Sequence, residues 1–342
     1  MKAIFRANLF ILLLVVFQII SQITIVGRLE ELIGYSNLLM IDEYLFLLIP
    51  VILYMIITKQ SPKEVFRLNR IYLADVFNVI IIAVLCQPIA SFLSLLTSLF
   101  FTNPVSEALN DLQSVSLPVM LFMIAVTPAI CEEAVTRGVV LHGYNKVGLF
   151  KAALINGLVF CILHLSPQQS LYTFALGFIF AYMVRVTNSI FTSMLCHFTF
   201  NGIQVSLSKL VADNAGTNSA QGSTAAVVTL AQIMKEIIIR FAFAAVCGII
   251  IYSLIKLLES RHKASLQESM EPLNDFHGDT LPITNVIQSS DDMAGELNRA
   301  DAGTYLYNGS AVRNRSEALH AYVPLILLVI LYPIVIVLFR LY

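Results

Sequence analysis

Three apolar stretches of this sequence carry the side chains best suited to chemistry. Glu132, Glu133 and Arg137 stand in Ala129–Arg137, His164 closes Phe160–His164, and His197 and Asn201 stand in Cys196–Asn201. A carboxylate, two imidazoles and an amide are the ingredients for activating a water molecule and stabilising an oxyanion. Helical spacing sorts them. Glu133 and Arg137 are four residues apart, share a face and can pair; Glu132 projects about 100° away. His197 and Asn201 also share a face, and His164 is alone on its element. Each has a bland reading: a hydrogen-bonded core histidine, an interfacial salt bridge, a solvated glutamate. Those readings have to hold together in stretches otherwise almost free of charge, where an ionisable side chain is expensive and points to function. Five cysteines (Cys86, Cys131, Cys161, Cys196, Cys247) lie in apolar runs without metal-ligand spacing and read as small core residues.

The surroundings must be a membrane. Of the 342 residues 58% are hydrophobic and 13% charged, against about 25% charged in soluble domains, and the mean hydropathy is +0.80. Between Val76 and Ile130 the only acids or bases are Glu107 and Asp111, both in a polar interval. The net charge of −1 gives no reason to expect nucleic acid as a partner; the lipid bilayer is the partner that composition demands.

Only helices or closed barrels satisfy the backbone in lipid, and these runs are too long for barrel strands. The fold class is therefore an all-α polytopic membrane protein of about 8–9 transmembrane helices with an intramembrane active site. Nine runs qualify: Leu9–Val26, Leu38–Thr58, Val76–Phe101, Leu117–Val140, Leu149–Leu165, Leu171–Val186, Ile190–Leu207, Phe241–Leu258 and Tyr322–Leu338. The second is interrupted near its start by Asp42 and Glu43. The first follows Lys2 and Arg6 without a small-residue cleavage site and reads as a retained signal anchor. Lys59, Lys63, Arg67 and Arg70 follow the second run, none follows the third, and Lys146 and Lys151 follow the fourth, which places the N-terminus in the cytoplasm. The organisation expected is N-terminal transmembrane helices over 1–116, a catalytic helical core over 117–210, an external loop and helix over 211–258, an acidic, partly disordered cytoplasmic segment over 259–320, and a last helix over 321–342.

At these residues the sequence resembles the CPBP family, which takes in the type II CAAX prenyl endopeptidases and bacterial bacteriocin-processing or Abi proteins. The pattern stands as Glu132-Glu133-x-x-x-Arg137, Phe160-x-x-x-His164 and His197-x-x-x-Asn201, in the family's order and on separate runs, within roughly Leu117 to Leu207. The resemblance implies an intramembrane endopeptidase acting on a membrane-associated peptide or protein. Glu132 and His164 would activate the water, His197 and Asn201 would stabilise the oxyanion, and Glu133 and Arg137 would position the site. It leaves the cofactor open: none for a glutamate-type protease, which is favoured, or Zn2+ held by Glu132, His164 and His197 for a metalloprotease. It also implies an integral protein of a bacterial cell membrane, where peptide maturation or self-immunity to a bacteriocin is the better expectation than a prenylated substrate. The alternatives are a non-catalytic bacteriocin-immunity or scaffold protein of the same fold, and a proton-relaying transporter, whose paired interrupted helices are not visible.

Overall fold

The computed structural model describes residues 1–217, 229–274 and 310–341, and every regular element among them is helical. Among the described residues nine principal helices follow one another: α1 Lys2–Ile33, α2 Tyr35–Thr58, α3 Leu73–Ser98, α4 Leu117–Gly143, α5 Leu149–Leu163, α6 Ser170–Thr187, α7 Ile190–Thr217, α8 Leu230–Asn274 and α9 Ser310–Leu341. Seven of the nine expected runs fall within them, and the runs Val76–Phe101 and Leu149–Leu165 overrun α3 and α5 by three and two residues. Among the described residues seven helices are long and apolar enough to cross a membrane, with α8 and α9 qualifying over Leu230–Lys263 and Leu319–Val337. The other two are the elements that carry His164 and His197: α5 has only 15 residues, and α7 dilutes its apolar run with the polar side chains of its second half.

α4 is the hub. Of its most apolar stretch 61% is buried, against 17–50% for the other six candidate spans. It packs on α1, α2, α5, α6 and α7, so its polar side chains face protein on most sides. The outer helices instead expose large apolar residues such as Ile23, Ile57, Phe77 and Ile249, as lipid-facing surfaces must. Gly34, at φ 80°, turns α1 back into α2 in a conformation that costs a glycine nothing.

Two polar segments are described only in part. Of the external loop expected from position 211, the first residues continue α7 to Thr217, and residues 218–228 lie outside the described residues. Of the acidic segment 259–320, Glu259–Asn274 extends α8 and 310–320 opens α9, while 275–309 lies outside the described residues. The extension of α8 has a cause. Asp75, buried at the start of α3, binds Arg261 Nη1 at 3.2 Å and His262 Nε2 at 2.9 Å, so the helix is fastened to the bundle beyond its apolar stretch.

His164 stands differently from expectation, at the end of α5 rather than inside a span. Leu165 turns left-handed at φ 48° and Pro167 follows two residues later, which ends the helix there. The imidazole is thereby presented at a helix end, where the backbone can bend it into the protein interior.

Candidate active site

The positioning begins with irregularity in α4. Its turns are π-helical over Phe122–Val126 and Ala134–Val140, flanking the α-helical stretch Thr127–Glu133 that carries both glutamates. Such widenings cluster at functional sites because they re-aim side chains and free carbonyls. Here side chains from elsewhere collect those carbonyls: Asn156 Nδ2 donates to Thr136 O at 2.6 Å, and Arg67 Nη1 donates to Arg137 O at 3.2 Å. Gly138 leaves room for the Phe66 ring, since a Cβ there would lie 2.4 Å from Phe66 Cδ1.

Arg137 and Glu133 are both fully buried, and Arg137 Nη1 donates to Glu133 Oε1 at 2.9 Å. The guanidinium also donates to Thr136 Oγ1 at 2.7 Å and to Gly177 O at 3.2 Å. It lies 4.3 Å over the Phe160 ring and 5.2 Å from that of Phe180. The Gly177 carbonyl comes this close because α5 and α6 meet on small residues. A Cβ on Gly177 would lie 2.8 Å from Gly157 Cα.

Glu133 then reaches the second helix. Its Oε1 accepts from His197 Nδ1 at 3.0 Å, because the carboxylate is already the partner of Arg137 and has only acceptors to offer. His164 Nδ1 donates to Phe160 O at 2.8 Å for the same reason, since a carbonyl cannot donate. Both rings are therefore anchored through Nδ1, and both turn Nε2 toward Glu132. His164 Nε2 is 3.9 Å from Glu132 Oε1, and His197 Nε2 is 3.9 Å from Glu132 Oε2. These gaps are too long for direct hydrogen bonds and suit a bridging water. Phe160 stands edge-on to both imidazoles, with centroids at 4.7 and 5.9 Å.

Asn201, one turn beyond His197, donates Nδ2 to Ile124 O at 2.8 Å, a carbonyl of the first π-helical stretch. An amide nitrogen has two hydrogens, so the second remains for the cavity. That cavity, about 170 Å³, is bordered by Glu132, His164, His197, Asn201 and Tyr172 together with apolar side chains of α4, α6 and α7. The structure thus brings all six residues singled out in the sequence into one connected cluster. For the ligand set suggested for zinc, the fit is poor: among the described residues no group of three His, Cys, Asp or Glu side chains is arranged so that it could hold a metal ion. The five cysteines are free and buried, as core residues are.

Every one of the six residues lies between positions 114 and 203. Residues 114–203 match the Rce1-like family. Its description is type II CAAX prenyl endopeptidase Rce1-like, and the matched stretch is about a quarter of the chain. The match bears out the resemblance read from the three motifs. A Bacillus subtilis (strain 168) protein named "Putative membrane peptidase YdiL" is 29% identical over 87 residues, which are 25% of this chain and 36% of that relative. No solved structure matches the chain. The Rce1-like segment covers α4 to the first half of α7 and leaves α1, α2, α3, α8 and α9 unassigned.

Side chains of those unassigned helices, an acid among them, also face the site, and the motifs did not reach them. Glu43 of α2 borders a second, larger cavity of about 480 Å³ that Glu132 and His164 also line. The signal was present in the sequence, where Asp42 and Glu43 interrupt an apolar run. They read there as a defect of the span, although charge inside such a run argues for function.

Proposed function

We propose that this chain is an intramembrane endopeptidase that hydrolyses a peptide bond in a membrane-associated peptide or protein by a glutamate-type, metal-free mechanism. The observation that carries the reading is the approach of the two Nε2 atoms to the two oxygens of Glu132, each at 3.9 Å, beside a cavity of about 170 Å³. A water held between Glu132 and His164 loses its proton to Glu132 as it attacks the scissile carbonyl. The oxyanion that forms is met by Asn201 and by His197. With Nδ1–H donated to Glu133, His197 offers an Nε2–H only as the doubly protonated ring, and the Glu133 carboxylate is placed to balance that charge. Arg137 fixes Glu133, and through it the ring. Support for the peptidase class comes from the Rce1-like match and from the name of the Bacillus relative. We place the protein in a bacterial cell membrane with its N-terminus in the cytoplasm, on the distribution of Lys and Arg between the runs.

The test is a comparison of the peptides in membranes holding wild-type or Glu132→Ala protein at equal abundance. The expectation is a peptide that appears, with its precursor consumed, only with the wild type. Identical peptide profiles would refute the hydrolase reading. Metal analysis of the purified protein, with activity assayed in strong chelator, addresses the mechanism: activity lost to the chelator and restored by zinc would overturn the metal-free part.

A further inference from the structure

Glu132 and His164 stand in the wall between two cavities of different character. The 170 Å³ cavity is lined, apart from the site residues, largely by apolar side chains such as Leu176, Phe200 and Val205. Where α1 and α2 border it, the 480 Å³ cavity is lined by Gln18, Gln22, Asp42 and Glu43 together with Leu39 and Leu47. A peptide segment suits the first and water suits the second. Glu132 divides them.

Glu43 lies on the polar side. It is the last residue of the α-helical stretch Tyr35–Glu43, and the next residue, Tyr44, starts a π-helical stretch. The Tyr44 hydroxyl lies 3.2 Å from Thr127 Oγ1, on the same short stretch of α4 that carries Glu132. Glu43 Oε2 is shielded from solvent and has no hydrogen-bond partner among the described residues, and the same holds for Glu132 Oε2. The titratable groups around Glu43 are Asp42 beside it, Cys131 and Glu132 on α4, and His164. No Lys or Arg lines this cavity. A shielded carboxylate without a cation is costly to keep charged, and two carboxyl groups facing one cavity relieve each other when one of them holds a proton.

We propose that Glu43 is that proton's holder and the acid whose proton reaches the departing amine through water of the polar cavity at Glu132. The inference rests on the hydrolase reading above and deepens it. The protons balance. Water gives one proton to Glu132 and its oxygen bonds to the carbonyl carbon. The C–N bond then breaks as a water of the polar cavity beside Glu132 gives a proton to the nitrogen and takes Glu43's proton in its place. Glu132 afterwards returns a proton to Glu43 through water of the polar cavity, and both carboxyl groups regain their starting states. The net change is one water consumed, one acid and one amine released.

The probe is the peptide released only by wild-type membranes, synthesised across its scissile bond once as the amide and once as a thioester, and given to the purified full-length protein. An amine needs a proton to leave, whereas a thiolate leaves without one. Glu43→Gln should slow amide cleavage by about 10²- to 10⁴-fold, the usual contribution of a positioned acid, and change thioester cleavage only a few-fold. Glu132→Gln should slow both. Equal slowing of both substrates by Glu43→Gln, or unchanged amide cleavage, overturns the proposal. No cleavage of either substrate by the wild-type protein would instead sink the hydrolase reading itself, and full activity of Glu132→Gln would remove only the role of Glu132, so the failures are distinguishable. Should Glu43→Gln fail to accumulate, Glu43→Asp is read the same way, with amide cleavage slowed more than thioester cleavage. Infrared spectra of the folded protein at neutral pH give an independent readout. The C=O stretch of a protonated carboxyl group should vanish in Glu43→Gln, and an unchanged band overturns the assignment.

Discussion

The buried Arg137–Glu133 pair makes a prediction that separates folding from chemistry. Both side chains are fully buried and 2.9 Å apart, so removing either leaves the other charged and uncompensated. Breaking such a pair costs about 3–5 kcal/mol. Arg137→Met loses, in addition, the hydrogen bonds to Thr136 and Gly177 O and the contacts with the Phe160 and Phe180 rings, which places it at the upper end. Replacing both partners by apolar groups of similar volume removes the charge problem. Arg137→Met combined with Glu133→Leu should therefore recover most of the stability that the single variant loses, as read by denaturant titration in mixed micelles. Activity should not recover with it. His197 Nδ1 loses its 3.0 Å acceptor in the double variant, and loss of a partner that orients a functional imidazole costs roughly 10- to 100-fold. A double variant as unstable as Arg137→Met would refute the claim that the uncompensated charge is the damage. A double variant with wild-type activity would refute the claim that Glu133 positions His197.

Three other outcomes follow from specific contacts. Gly177→Ala puts a Cβ 2.8 Å from Gly157 Cα and 2.9 Å from Phe160 Cβ, a backbone clash that should cost about 1–3 kcal/mol and appear as a lower melting temperature in detergent. Gly138→Ala meets only the Phe66 ring, at 2.4 Å, so a companion Phe66→Leu should restore its melting temperature, and failure to do so would locate the strain elsewhere. Asn201→Ala should keep the fold, measured by the same melt, and reduce kcat by about 10²- to 10³-fold through loss of an oxyanion donor; a rise in KM alone would remove Asn201 from that role.

Much of the fold was legible because lipid enforces simple rules. A run of about 20 apolar residues has few options, and all nine runs are helical over most of their length. What escaped were features that a hydropathy profile does not carry. The end of α5 at Leu163 depends on a left-handed Leu165 and on Pro167, which hydropathy alone does not weigh. The extension of α8 past its apolar stretch depends on Asp75, about 190 residues upstream, seizing Arg261 and His262. The π-helical stretches of α4 leave no mark in a hydropathy profile either.

The site divides along the same line. Spacing of four residues revealed the Glu133–Arg137 pair, and the order of three motifs revealed the rest, because those relations are local to single helices. Glu43 has no such local companion; its relation to Glu132 exists only once α2 lies against α4, held by Tyr44 on Thr127. The observed contacts also show how a bundle of separate helices makes a defined site. Each polar group of the core uses one atom as an anchor and keeps another free. His164 and His197 anchor Nδ1 and leave Nε2, Asn201 anchors one N–H and leaves the other, and Glu132 has its backbone carbonyl taken by Thr136 Oγ1 at 2.7 Å while its carboxylate stays open. Fixing the rotamers before any substrate arrives avoids reorganising them during reaction, which is where a positioned group obtains most of its advantage. An anchor variant, such as a change at Glu133, should consequently misplace a free atom without touching it.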